Sequence, residues 1–337
     1  MLKETQHTAP AGQCAAGGEK KPFKTMCGGQ ALIEGIMMRG PKKQAVVVRR
    51  PDGGLEVQQK DLRFIKDRYP ILGWPLIRGV VNFCDSMYNG VTSLMFSAEF
   101  FPEEGGGTED EEPSKFEAWL ERRLGSEKAT ALFTTLAVIL GVSMSIGLFF
   151  LLPTLLGTAV TLVTDSMLVR NLAESLLKLA IFVGYLALCS RMKEMKRVFS
   201  YHGAEHKTIF CYEAGLPLTV ANVRKQPRHH PRCGTSFLFM VIAISILIST
   251  AVFSIWPVSN PFWRFLAHLA MLPLIVGISY EFNRWAGRHD GPITRILTAP
   301  GLWLQNFTTF EPDDSMIEVG IKALTLVLPD RKGEDAW

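Results

Sequence analysis

The sequence predicts a mainly α-helical polytopic membrane protein, with four transmembrane helices and a small β-rich cytoplasmic N-terminal subdomain. Three observations predict it. Four long segments are almost free of charge, basic residues gather on alternate connections between them, and a glycine-bounded, β-branched stretch precedes the first. A hydrophobic content of 47% in 337 residues does not by itself decide the class. Its gathering into runs does, because about 20 consecutive apolar residues cross a bilayer.

The elements follow in chain order. Residues 1–24 are polar and rich in Gly, Ala and Lys, which reads as a disordered leader without the apolar stretch of a signal peptide. Residues 25–70 form the β-rich subdomain. Within it, 44–50 and 55–58 flank Pro51-Asp52-Gly53-Gly54 as a hairpin, and 28–40 reads as a further strand bounded by glycines. In the segment 71–125, residues 74–101 read as a helix starting at Pro75. Arg78, Asn82 and Asp85 interrupt its apolar pattern, so it is expected to lie at the interface or against the bundle, with a fifth, partly buried span as the alternative. The acidic, Gly-rich stretch 103–112 is then a loop, followed by a short amphipathic helix at 114–124.

The four spans are expected at 129–156, 171–192, 236–257 and 262–282. The runs 129–156 and 236–256 carry no charge; 172–190 carries only Glu174 and Lys178; 262–280 carries Arg264 and His268. No proline interrupts 171–213, which predicts one continuous helix of roughly 60 Å ended by Gly215-Leu216-Pro217. Residues 193–235 form a cytoplasmic His-rich loop. Residues 283–337 form a cytoplasmic tail, broken by Pro292 and Pro300, with a final strand or short helix at 318–328.

Orientation follows from the basic residues. Arg122, Arg123 and Lys128 precede the first span; Arg191, Lys193, Lys196 and Arg197 follow the second; Arg224, Lys225, Arg228 and Arg232 precede the third; Arg284 and Arg288 follow the fourth. Both termini and the His-rich loop are therefore expected in the cytoplasm. The mildly basic pI of 8.7 is accounted for by this topology, so no nucleic-acid partner is called for. The six cysteines contain no C-x-x-C pair, and in a reducing compartment they form no disulfides. Cys84 and Cys189 read as fillers of apolar surface.

The chemistry gathers at Tyr201-His202-Gly203-Ala204-Glu205-His206-Lys207. His202 and His206 are four residues apart, so one helix face presents both, and Glu205 stands beside them. This is the H-x-x-E-H pattern, in which two His hold a divalent ion, zinc first, and the Glu activates water. A second cluster, His229-His230-Pro231-Arg232-Cys233, returns to the same face. His230 and Cys233 are the best candidates for the remaining ligands, with Glu281 and His289 next. Glu213 lies too far along the helix to share the ion and reads as a supporting residue, while Arg232 or Lys207 would steady an anionic group. His229 reads as part of a basic, lipid-facing loop, and His268 as hydrogen-bonded packing. Glu174 with Lys178 reads as an i,i+4 ion pair, and Glu34 and Arg39 as either catalytic residues or a pairing within the subdomain.

Residues 28–41 (GGQALIEGIMMRGP), the YHGAEHK string at 201–207, HPRCGTSF at 230–237, and LTAPGLWLQ at 297–305 with Glu311-Pro312-Asp313-Asp314 resemble the YqhQ-like family of bacterial membrane proteins. The resemblance covers nearly everything after residue 25. It implies a metal-dependent enzyme of the bacterial cytoplasmic membrane and supplies no substrate. One departure is Phe310, where the family string has Arg.

Two functions are expected from these residues. The first is a membrane-anchored metal-dependent hydrolase acting on a lipid head group or a peptide at the cytoplasmic face, with Glu205 as base and His202, His206 and His230 or Cys233 as ligands. The second is a metal-stabilised scaffold that binds a partner through the β-rich subdomain, closed by His230 and Cys233 together. A transporter is disfavoured, because the spans carry few charges and lack a Gly/Pro-interrupted pair. Beyond the bilayer, partners are left open, including a second copy of the chain.

Overall fold

The computed structural model describes residues 23–62, 65–101, 125–289, 291–329, 331 and 333–336. The leader up to residue 22, the acidic loop and the amphipathic helix at 114–124 lie outside them.

Four strands, β1 (Gly28–Leu32), β2 (Gly35–Arg39), β3 (Lys43–Arg49) and β4 (Leu55–Asp61), form an antiparallel meander in sequence order. The single strand expected over 28–40 is two strands, because the chain reverses at Ile33-Glu34, where Glu34 adopts φ 48°. Alternation then divides the side chains. Ile36, Met38, Ala45 and Val47 enter one apolar cluster, while Leu32, Met37, Val46 and Val48 enter another beneath Phe96, Phe100 and Phe101. Burial on both faces explains why 45–48 is an unbroken apolar run rather than an alternating one.

Helix α1 (Ile77–Ala98) packs along the last of four long apolar helices. Two of the polar residues that interrupt its pattern make that contact: Arg78 Nε bonds Glu281 Oε1 at 2.6 Å and Asn82 Nδ2 bonds the Tyr280 hydroxyl at 2.8 Å. Among the described residues, four helices are long and apolar enough to cross a membrane. The first, α2 (Ser126–Ile146), runs through a π turn at Gly147–Leu151 into α3 (Leu152–Ala159). The wider turn accommodates Pro153, which cannot donate to the preceding turn and whose ring crowds its carbonyls. Next come α4 (Met167–Cys189), α7 (Gly234–Ile255) and α8 (Pro261–Arg288). Helix α4 starts ahead of the expected residue 171, capped by Ser166, so Arg170 lies inside the helix and is buried.

The continuous helix expected over 171–213 is two helices. Helix α4 ends at Cys189, Ser190 turns its hydroxyl back to Ala187 O at 2.8 Å, and Met192 is extended before α5 (Lys193–Glu213) begins. Propensity gives way to packing here. After the break α5 lies against β1 and the tail, burying Tyr201 and Gly203–Ile209, and α6 (Val220–Arg224) follows it. In the tail, Pro300 sits within α9 (Pro292–Thr308) instead of breaking it. The segment expected as strand or short helix is α10 (Asp314–Val327), capped by Asp313. Met316, Val319, Ala323 and Val327 recur at helical spacing and fill one cluster with β2, β3 and α5. The sheet thus shares its core with the His helix and the tail.

Two pairings also differ from expectation. Glu34 receives Arg197 and the Tyr201 hydroxyl from α5, and Arg39 pairs with Asp85 of α1 at 2.6 Å, so both leave the sheet. Cys84 is exposed rather than filling an apolar surface.

Candidate metal centre

One face of α5 carries His202 and His206, whose ring centroids lie 4.3 Å apart. Cys233 meets them from the N-cap of α7, where its sulfur accepts from Thr235 N at 3.4 Å. His202 Nε2 lies 3.2 Å from Cys233 Sγ, and the His206 ring also acts electrostatically on that sulfur. Backbone carbonyls hold the other ring nitrogens: Thr308 O is 2.8 Å from His202 Nδ1, and Arg228 O is 2.5 Å from His206 Nδ1. Such carbonyls place the proton on Nδ1 and leave Nε2 as donor atom, the usual support of a metal-binding imidazole. One donor atom from each of His202, His206 and Cys233 lies within 4.8 Å of the others. His206 and Cys233 are buried and His202 is half-buried.

Local sequence explains the placement. A Cβ at position 203 would run into Phe310 O, so Gly203 lets the 308–312 segment cross α5 closely enough for Thr308 O to reach His202. Phe310 N donates to Phe199 O at 3.0 Å, and the two rings pack at 6.2 Å. At the position where the resemblance has Arg, this chain makes an apolar contact.

Glu205 points toward β1. Gly29 N donates to its Oε1 at 2.9 Å, whereas Oε2 is buried without a hydrogen-bond partner among the described residues. Burial pushes the carboxyl above its ordinary range, against the pull of His202 and His206. At position 29 a Cβ would lie 3.1 Å from the Glu205 carboxyl carbon, so a glycine keeps that approach open.

His230 is a neighbour of the cluster with other partners. Its ring lies 5.5 Å from that of His206, but its Nε2 faces Glu213 Oε2 at 3.8 Å and its Nδ1 accepts from Arg232 N at 3.3 Å. Gln305 clamps its backbone in both directions, at 2.7 and 2.8 Å. Burial lowers the His230 pKa to about 4. Glu213 binds Arg232 and Thr25 N, which makes it a supporting residue of this loop. Lys207 is committed to Glu311 at 2.7 Å and Arg224 O at 3.0 Å. Both Arg232 and Lys207 are thus already paired with carboxylates of the chain. Glu281 pairs with Arg78, and His289 with Trp285 O at 2.8 Å, so neither reaches the cluster. Gly29, Gln305 and Thr308 are the contributors that pattern reading misses, since two act through backbone atoms and the third through an amide.

The electrostatics of the trio give a pH prediction. Burial opposes ionisation of Cys233, but His202 and His206 outweigh it and hold the thiol well below its ordinary 9.0. Burial likewise opposes charge on His202, and Cys233 outweighs it, raising His202 to about 9. The raised His202 contributes stability that is full below pH 6.5 and lost as pH rises through about 9. The depressed Cys233 contributes stability that is full above pH 9.0 and lost as pH falls through its lowered value. In chelator-treated protein, thiolate absorbance missing from Cys233→Ser is expected to persist as pH is lowered from about 9 to 6.5. A difference spectrum that vanishes over that range would mean a neutral pair.

No solved structure matches the chain. A protein of Bacillus subtilis (strain 168), "Uncharacterized protein YqhQ", is 34% identical over 305 residues, covering 89% of this chain and 92% of that protein. The family model described as "Protein of unknown function (DUF1385)" matches residues 74–330, which take in α5, Cys233 and the tail carbonyl at Thr308. The chain therefore belongs to the DUF1385 family.

Proposed function

We propose that the chain is a membrane-embedded metal-dependent hydrolase whose ligands are His202, His206 and Cys233. The observation that carries the reading is a trio of donor atoms within 4.8 Å of one another, two of them on buried residues, interacting with a Glu205 carboxylate whose Oε2 has no partner among the described residues. The donor set suits zinc, which takes imidazole and thiolate together. Three protein ligands leave a fourth position open, the pattern of catalytic rather than structural sites. His230, turned to Glu213 and Arg232, does not supply that fourth ligand.

When bound, a zinc-class ion supplies Lewis acidity and eases the ionisation of water. Glu205 would accept the proton at Oε2, while Gly29 N–H holds Oε1 in place. Its raised pKa, caused first by burial, suits a base that must also return the proton. The four apolar helices and the basic connections support a site at the cytoplasmic membrane surface, which favours a lipid head group or peptide as substrate.

The experiment is metal content by elemental mass spectrometry on detergent-purified wild type, His206→Ala and Cys233→Ser. Near-stoichiometric zinc is expected in wild type, with loss in His206→Ala and strong reduction in Cys233→Ser. Wild type that stays metal-free after reconstitution with excess ion would end this reading. Burial of His206 and Cys233 favours a second reading, an ion that only stabilises a scaffold. Zinc retained with no turnover of phospholipid or peptide panels, in wild type and Glu205→Gln alike, would support it.

A further inference from the structure

At the end of the apolar bundle away from the His–Cys trio lie charges that the hydrolase reading does not use. Helix α4 carries Arg170, Asn171, Glu174 and Lys178, and α8 faces it with Arg264 and His268. One carboxylate serves several of them. Glu174 accepts from Arg264 Nε at 2.7 Å and Thr154 Oγ1 at 2.9 Å, with His268 Nε2 at 2.8 Å and Lys178 Nζ at 3.3 Å. Arg170 makes no hydrogen bond to that carboxylate among the described residues. Its guanidinium donates to the Thr158 hydroxyl at 3.1 Å and to Ser259 O at 3.4 Å, and the residue is 1% exposed.

The unmet groups here are all donors. Arg170 Nε, Asn171 Nδ2 and Arg264 Nη1 are buried without a partner among the described residues. A buried guanidinium without a carboxylate calls for an anion, and a planar fork of N–H groups suits one with several oxygens. Arg170 lines a cavity of about 270 Å³ with Thr158, Thr161, Ser166 and Ser259, and Asp165 stands exposed in its wall.

We propose that this cavity binds a phosphate group on Arg170, supplied by the phosphodiester of a membrane lipid. Two observations favour the lipid over free phosphate. The negative Asp165 at the wall repels a dianion more than a singly charged phosphodiester. Leu162 and Val163, both 88% exposed beside the cavity, offer an apolar surface to acyl chains. Intramembrane arginines pair or line a polar cavity, and Arg170 does the second. This site is independent of the metal centre.

The test uses full-length protein in detergent, with lipid binding read by native mass spectrometry and folding by monodisperse elution and thermal melting. The probes are short-chain phosphatidylglycerol and inorganic phosphate, each given to wild type, Arg170→Gln and Thr158→Val. Wild type is expected to retain phosphatidylglycerol. Arg170→Gln should weaken it on the order of tenfold, by loss of a charged hydrogen-bonding group. Thr158→Val keeps the charge and removes only the hydroxyl that positions Arg170, so it should show a smaller loss and report even if Arg170→Gln fails to fold. Equal lipid retention in wild type and the folded variants would overturn the site. Inorganic phosphate binding with the same Arg170 dependence, while the lipid is not retained, would overturn the lipid as its source.

Discussion

Glu205→Gln is expected to keep the ion and lose turnover by about 100- to 10,000-fold, the usual contribution of a positioned general base. The amide is close to isosteric and can still accept Gly29 N–H through its oxygen, so the contact between α5 and β1 survives. What disappears is the basic Oε2, the atom that no described residue satisfies. The swap also removes a buried carboxyl whose burial already disfavours its charge, so stability should change little. The measurement pairs zinc content with hydrolysis of the same substrate in nanodiscs. Zinc retained with turnover unchanged would remove Glu205 from the mechanism. Zinc lost together with turnover would make Glu205 a residue that shapes the centre rather than one that moves a proton.

Some of this architecture is legible in the sequence for physical reasons. Twenty-residue apolar runs have few alternatives to a long helix, so four helices stand close to where composition places them. His202, Glu205 and His206 share α5 because their spacing and the absence of proline leave little choice. Other features depend on tertiary contacts that periodicity does not carry. The break at Ser190–Met192 arises because α5 gains more by covering β1 and α10 than by extending α4. Pro300 stays inside α9, although proline normally marks an end. The role of Thr308 is carried by a backbone carbonyl, which any residue could supply, and so leaves no trace in side-chain chemistry. Arg170 reads as a loop residue until Ser166 is seen to cap the helix ahead of it.

Glu174→Ala is expected to destabilise the protein by about 3–5 kcal/mol, the cost of removing one partner from a buried ion pair. Arg264 would lose the acceptor of its Nε while retaining only Asn171 Oδ1 at 2.6 Å and the face of Phe253 at 4.0 Å. Lys178 would lose its carboxylate too, and His268 would keep no acidic neighbour among these contacts. The positive charges of α4 and α8 would then face each other in a medium that screens them poorly. If this account holds, the cost depends on the cation left behind. Glu174→Ala in an Arg264→Met background should therefore cost less than in wild type, with a coupling of about 0.5–3 kcal/mol. Unfolding in bicelles by steric trapping measures all four corners of that cycle. Strict additivity would mean that Arg264 finds enough support in Asn171 and Phe253 alone. Glu174 would then matter for its Thr154 contact between α3 and α4 rather than for its charge.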